Sequence, residues 1–229
     1  MKIRRLVHRE LSTTRWLMTV LPLAALILAA LACQVFSEQG SDPGLPGKTL
    51  FEDDFSDPTS GWNRVSTNKG QTDYADGVFR IFVNDSNLDI WSKPGRDFRD
   101  VRIEVDALKV GGERDNRFGI ICRAIASDRF YTFIISSDGY YGIGKLNGQD
   151  YRLIGMDALQ PSKAIRVGSA LNHLRADCVG DTLTLYVNDE KLAEVRDGEY
   201  ASGDAGLIAG TYDTPGTDIR FDNFTVYQP

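Results

Sequence analysis

The sequence predicts an all-β domain over residues 49–229, built as two packed antiparallel sheets and preceded by an N-terminal signal or anchor helix. Three observations predict it. Apolar side chains recur with a period of two, as in Val101, Ile103, Val105 and Ala107 against Arg102, Glu104 and Asp106, or Leu183, Leu185 and Val187 against Thr182, Thr184 and Tyr186. Between such runs fall Asp138-Gly139, Asn147-Gly148, Gly180-Asp181 and Asn188-Asp189, dipeptides that accept the positive φ angles of tight hairpins. Gly-rich turns recur about every 8–12 residues and no long stretch carries a helical period, so about a dozen short strands form antiparallel meanders. Two sheets packed face to face, the architecture of sandwiches and jelly rolls, satisfy this pattern; a closed barrel is the alternative.

The N-terminus is of another kind. Lys2, Arg4, Arg5, Arg9 and Arg15 stand against one acid, Glu10, and the 17 residues from Trp16 to Ala32 carry no charge. That length is at the lower end of the about 17–25 residues a membrane-crossing helix needs, and small residues crowd its end, so it reads as a secretory signal rather than a permanent span. Ala30, Leu31 and Ala32 before Cys33 resemble the lipobox of bacterial lipoproteins, where a signal peptidase cuts before a cysteine that becomes acylated. The resemblance implies lipidation at Cys33 and a protein anchored in the lipid bilayer on the extracytoplasmic face of the cell membrane. Leu31 stands one place later than the lipobox leucine, so an uncleaved anchor and cleavage by signal peptidase I stay open beside it. Residues 34–48, QVFSEQGSDPGLPGK, are rich in Gly, Pro and Ser and lack periodicity, which makes a flexible tether. The organisation expected is a signal peptide at 1–32, a tether at 33–48 and one domain at 49–229, long enough for a single well-packed core.

Residues 1–32 hold five of the 26 Lys and Arg and one of the 32 Asp and Glu, which leaves 21 against 31, a net charge of −10, for the remainder. No basic stripe exists to neutralise phosphates, which disfavours a nucleic-acid partner. With Cys33 assigned to lipid, Cys122 and Cys178 remain as an even pair in an oxidising compartment, and a disulfide between them is expected. Two unpaired buried cysteines are the alternative. In NHLRADCV, residues 172–179, the alternation sets Cys178 on the side of Leu174 and Ala176, facing inward. The lack of a Cys-x-x-Cys spacing, with His173 the one histidine beyond residue 32, disfavours metal binding by these cysteines.

FEDDFSDPTSGW, YADGVFRI, RFGIICRA, RFYTFIISSDGYYGIGKL, NHLRADCVGDTLTLYVNDEKLAEV and GDAGLIAGTYDTPGTDIRFDNFTVY resemble the concanavalin A-like jelly-roll modules, which include LamG-like and 3-keto-disaccharide hydrolase-like domains. The resemblance covers residues 50–228 and implies a two-sheet jelly roll that serves as a sugar-binding module, a glycoside-active enzyme, or a sensor or adhesion domain. The reading adopted is a membrane-anchored recognition or structural module that binds polysaccharide weakly without catalysis. A glycoside-active hydrolase of the 3-keto-disaccharide hydrolase-like group is the alternative.

Laminarinase-type jelly rolls carry E-x-D-x-x-E, whose glutamates act as nucleophile and acid/base. Residues 104–109 read EVDALK, so Glu104 and Asp106 match but Lys109 stands where the second glutamate belongs. Glu104 and Asp106 are then the polar side of an ordinary strand. His173 has no G-x-S-x-G serine partner and reads as an exposed strand histidine, while Gly111-Gly112 reads as a turn. Aromatic rings stack on sugars, and Trp91, Tyr140 and Tyr141 are the carbohydrate-binding candidates, drawn from a set that includes Trp62, Tyr131 and Tyr151, with Asp89, Asp138 and Arg123 as hydrogen-bonding neighbours. Tyr140 and Tyr141 are adjacent on one strand, so at most one faces outward. The resemblance also implies a candidate structural Ca²⁺ where the terminal strands meet, held by Asp53, Asp54 and Asp222, although aspartates that cap turns explain the same residues. Ile219 and Phe221 share one phase while Phe224 and Val226 share the other, which predicts a bulge at Asp222-Asn223.

In a bacterial host, metabolic labelling with an alkyne fatty acid is expected to tag the full-length protein, and Cys33→Ser to abolish the tag. Unchanged labelling of that variant would remove Cys33 as the anchor.

Overall fold

The computed structural model of the chain describes residues 47–229; the expected signal segment, Cys33 and most of the expected tether lie outside the described residues. Sixteen strands run in chain order as β1 (Thr49–Asp53), β2 (Val65–Thr67), β3 (Gly70–Ala75), β4 (Val78–Val83), β5 (Asp89–Ser92), β6 (Val101–Gly111), β7 (Asn116–Ala126), β8 (Arg129–Ile135), β9 (Tyr140–Asn147), β10 (Asp150–Leu153), β11 (Gln160–Pro161), β12 (Leu171–Val179), β13 (Thr182–Val187), β14 (Glu190–Arg196), β15 (Asp204–Thr211) and β16 (Thr217–Tyr227). No helix occurs among the described residues. Sixteen exceeds the expected dozen because β2, β5, β10 and β11 are two to four residues long, too short to show an alternation.

Two antiparallel sheets result. The nine-stranded sheet has the order β14, β13, β12, β6, β16, β4, β3, β2, with β1 paired to the end of β16; the seven-stranded sheet has the order β10, β9, β8, β7, β15, β5, with β11 on β9. This is the two-sheet, jelly-roll-like sandwich that the alternation predicts, not a closed barrel. Val101, Ile103, Val105 and Ala107 of β6 and Leu174, Ala176 and Cys178 of β12 meet Phe118, Ile120, Tyr131 and Phe133 from the opposite sheet in one core. The bulge in β16 falls where the phase change puts it. Pairing with β6 shifts register between Asp222 and Thr225, Asn223 takes φ 55°, and the strand passes from β4 to β1 as its partner.

The opening segment FEDDFSDPTSGW is organised by Asp53. Its carboxylate accepts from the Phe55 amide at 2.8 Å, the Ser60 hydroxyl at 2.5 Å and the Trp62 indole at 2.9 Å. That seats Trp62 and Phe55 on Phe79, with Trp62 edge-on to Phe224. A nearly buried carboxylate is tolerated because its lone pairs are used.

Cys122 of β7 and Cys178 of β12 form the expected disulfide, which joins the two sheets across 56 residues with Cα atoms 6.9 Å apart. Arg123 corrects the sequence reading. Expected as a hydrogen-bonding neighbour of a sugar, it is instead 1% exposed, because the bulge between Cys122 and Ala126 gives it φ 52° and turns it inside. Its guanidinium donates to the carbonyls of Arg99, Gly180, Tyr200 and Cys178 and to the Asp100 carboxylate, at 2.7–3.2 Å.

Cys122→Ala is expected to lower stability by about 4 kcal/mol, the chain-entropy value for a loop of this length. Arg123→Met, which strands the acceptors it serves, is expected to cost on the order of 3–5 kcal/mol. Urea unfolding of the oxidised protein measures both, and losses below about 1 kcal/mol would show that neither group holds the sheets together.

Candidate functional site

The inward phase of the seven-stranded sheet fills the core, so the opposite phase faces away from the nine-stranded sheet. There Ile121, Phe130, Ile134 and Ile208 form a second, small apolar cluster against which Trp91, Leu146 and Leu159 pack. Glycines occupy much of the rest: Gly142 and Gly144 on β9, Gly206 and Gly210 on β15. A Cβ on any of them would strike a neighbour. Leu153, Met156 and Leu159 lie against Gly142, the Tyr151 ring lies over Gly144, and the Asp89 carboxylate lies over Gly210. The glycines clear a trough that larger groups enter from its edges.

Two aromatic side chains reach in from opposite edge strands. Trp91, on β5, meets Phe130 edge-on with centroids 5.2 Å apart. Tyr151, on β10, brings its hydroxyl to 3.1 Å from the Thr132 hydroxyl, and burial pushes its phenol up to about 12. At one end Arg117 pairs bidentately with Asp89, at 2.5 and 3.1 Å, and stacks on the Tyr212 ring at 4.5 Å. Beside this pair is a depression of about 410 Å³, whose lining includes Asp115, Ser136, Asp138, Tyr140 and Tyr212. The Ser136 hydroxyl donates to Asp138, and the Tyr140 amide donates to Ser136 Oγ at 3.0 Å. Burial, reinforced by the Asp138 and Asp213 charges, holds the Asp115 carboxyl above its usual range.

Trp91 and Tyr140 both lie on this face, Tyr140 being 39% exposed at the rim. Tyr141 points the other way and packs against the inter-sheet core, as do the buried Trp62 and Tyr131. Tyr212, Arg117 and Asp115 escaped the sequence reading. The signal that points to them is the spacing of Gly142 with Gly144 and of Gly206 with Gly210, which empties one side of two strands. The calcium candidates are placed differently. Asp53 and Asp54 line a cleft with Glu52, Asp57, Asn223 and Thr225, and Asp222 is outside its lining. Asp54, Asp57 and Asp222 accept from nearby amides of Ser56, Thr59 and Asn223, and Asp53 is engaged as described. Among the described residues no group of three His, Cys, Asp or Glu is placed to hold a metal ion.

No protein-family model and no curated protein matches the chain. Solved structures do match in fold. A carbohydrate-binding module, CBM66, from Bacillus subtilis superposes with a TM-score of 0.59 at 18% identity, over 73% of this chain and 95% of that one. A Bacillus subtilis protein of unknown function with a galectin-like fold gives 0.57 at 12% identity, over 80% and 97%. SCLam, a non-specific endo-β-1,3(4)-glucanase of family GH16, gives 0.56 at 9% identity, over 82% and 94%. At these identities the likeness establishes the sandwich fold.

On the outer face of the nine-stranded sheet, Glu104 and Asp106 point outward, whereas Lys109 is buried and donates to the Gly112 carbonyl at 2.5 Å. His173, which has no serine partner in the sequence, is set by β12 directly opposite Asp106. Nδ1 lies 2.8 Å from Asp106 and Nε2 3.8 Å from Glu104, while the Asn223 amide holds the other Asp106 oxygen at 3.0 Å. The Glu104 and Asp106 carboxylates, opposed by burial, push the imidazole up from 6.5 to about 9. A raised folded-state value means the interaction contributes fully below pH 6.5 and is lost as pH rises through about 9. The thermal midpoint of His173→Gln is therefore expected below that of the wild type at pH 6 and to converge on it by pH 10; a gap independent of pH would exclude the charged imidazole.

Proposed function

We propose that this domain is the extracytoplasmic recognition module of a lipid-anchored surface protein, and that it binds a neutral polysaccharide weakly in the trough of the seven-stranded sheet without cleaving it. The observation that carries this reading is the pair Trp91 and Tyr151, entering a glycine-cleared floor from opposite edges, with hydroxyls and carboxylates within the same trough. Aromatic surface takes up the apolar faces of a sugar ring, and Asp115 and Asp138 at the rim supply partners for its hydroxyls. The matched carbohydrate-binding module and glucanase support it as bearers of the same fold. Neutral sugars are favoured because Asp115, Asp138 and Asp213 give one rim negative charge, which repels uronic acids at low ionic strength.

A second reading has its own observation. Asp115 and Asp138 share one depression, and burial with the Asp138 and Asp213 charges raises the first, so the pair offers two carboxyls of unequal acidity, as glycoside hydrolysis uses. Glu104 and Asp106 do not serve it, since they are tied to His173 on the far side of the sandwich.

Titration calorimetry of residues 34–229 against neutral glucans, mannans and chitin oligosaccharides is expected to give micromolar to millimolar affinity. Trp91→Ala and Tyr151→Ala are expected to weaken it at least tenfold, on the order of 1.4 kcal/mol. Tyr140→Ala tests the rim, and unchanged thermal midpoints confirm that the variants fold. Retained binding in both trough variants would move the ligand elsewhere. Cleavage products found by mass spectrometry and abolished by Asp115→Asn would replace binding by hydrolysis.

A further inference from the structure

A second cluster lies between the sheets, away from the trough. Lys145 is on the inward phase of β9 and only 2% exposed. Its Nζ is 2.5 Å from Asp197 Oδ2 and 2.6 Å from Glu199 Oε2, in the segment that leaves β14. The rings of Tyr131 and Tyr200 wall it at 6.0 and 5.7 Å. The other oxygen of Asp197, Oδ1, accepts from the Tyr131 hydroxyl at 2.6 Å and from the Glu199 amide at 3.0 Å. Asp197 is itself fixed by its backbone N–H, which donates to the Asp181 carbonyl at 2.9 Å. One amine thus touches two carboxyls, and in the central one Oδ1 holds two other donors while Oδ2 faces the amine.

We propose that Lys145 and Asp197 condense to an intramolecular isopeptide bond, with Glu199 carrying the proton. In the resting pair burial works against both charges, while the hydrogen bonds among Lys145, Asp197 and Glu199 hold the ionised forms. Transfer of one ammonium proton to Glu199 frees the lone pair of Nζ. The pair attacks Asp197 Cγ, and the negative charge develops on Oδ1, where the Tyr131 hydroxyl and the Glu199 amide donate. Collapse expels Oδ2, which takes one proton back from Glu199 and a second from nitrogen and departs as water. The balance is one ammonium and one carboxylate to one amide and one water, with Glu199 restored. Two reactants fixed in contact have an effective concentration on the order of 10⁵ M or more, and a pocket walled by two tyrosines withholds the water that would reverse the step. Glu199, 47% exposed, borders the solvent into which the product water leaves. The amide ties β9 of one sheet to the strand edge of the other across 52 residues, beside a disulfide that does the same across 56.

Tryptic mapping of the folded wild-type chain decides it without a variant. Trypsin does not cut after an acylated lysine, so residues 130–152 are expected joined to residues 197–220, one water lighter than their sum. Lys145→Arg is expected to release the two segments, and Glu199→Gln to leave an unreacted fraction after equal incubation at neutral pH. Free peptides ending at Lys145 together with unmodified 197–220 from wild type would overturn the proposal and leave an ion pair only. Complete condensation in Glu199→Gln would overturn the role of Glu199.

Discussion

The sandwich depends on one guanidinium. Arg123 has five N–H donors, and all five are used, on four backbone carbonyls and one carboxylate from separate segments. A buried cation with an idle donor would be costly; with every donor engaged it becomes a junction. Arg123 sits next to the cysteine that crosses to β12, and it also donates to the carbonyl of the partner cysteine. The left-handed conformation that turns it inward costs about 1–2 kcal/mol for a residue with a Cβ, which five hydrogen bonds offset. From the Tyr200 carbonyl the network continues through the Tyr200 amide to the Tyr131 hydroxyl and on to Asp197 and Lys145. One polar path therefore crosses the gap between the sheets beside the apolar core.

A sheet pinned in this way tolerates strands that would be weak alone. Glycine inside a strand gives up packing and adds unfolded-state entropy, so a run such as Gly142, Gly144, Gly206 and Gly210 on one face is a local loss. The loss creates the trough. Backbone left bare lets Tyr151, Leu153 and the Asp89–Arg117 pair lie down on the sheet instead of standing above it. Pairing Asp89 with Arg117 also cancels charge at the floor, so the field there comes from the rim acids Asp115, Asp138 and Asp213.

The period-two alternation made the sandwich, the inward Cys178 and the β16 bulge legible, because each is a property of neighbouring residues. What stayed hidden is set by pairing between distant strands. The sequence shows His173 as an exposed strand residue because its partner Asp106 lies 67 positions away, and it gives no sign of the Arg117 pairing because Asp89 is 28 away. Arg123 misled for a different reason: strict alternation puts it outside, and nothing in RFGIICRAI announces the bulge that reverses it. The aspartates near the first strand show the limit of reading residue types. Carboxylates close in sequence suit a cation, and each of them also accepts from an amide two residues on, so turn capping and cation binding share the same spacing.

The two outward faces of the sandwich differ in how their aromatics are spent. On the nine-stranded sheet Arg80 stacks on Phe82 at 4.8 Å and Arg175 on Tyr186 at 4.2 Å, while the same two arginines pair with Asp218 and Asp177. Such partly exposed pairs contribute little to stability, of order 0–1 kcal/mol each. Their effect is occupancy, since a ring covered by a guanidinium offers no face to a sugar. On the seven-stranded sheet Arg117 covers Tyr212, but among the described residues no cation stacks on Trp91, Tyr140 or Tyr151. Desolvating a ring that is already bare loses only water, whereas freeing Phe82 or Tyr186 would first break a cation–π contact and disturb its ion pair. A ligand of modest affinity has no surplus for that second cost, so the geometry of the charges on one sheet is itself a reason to look for binding on the other.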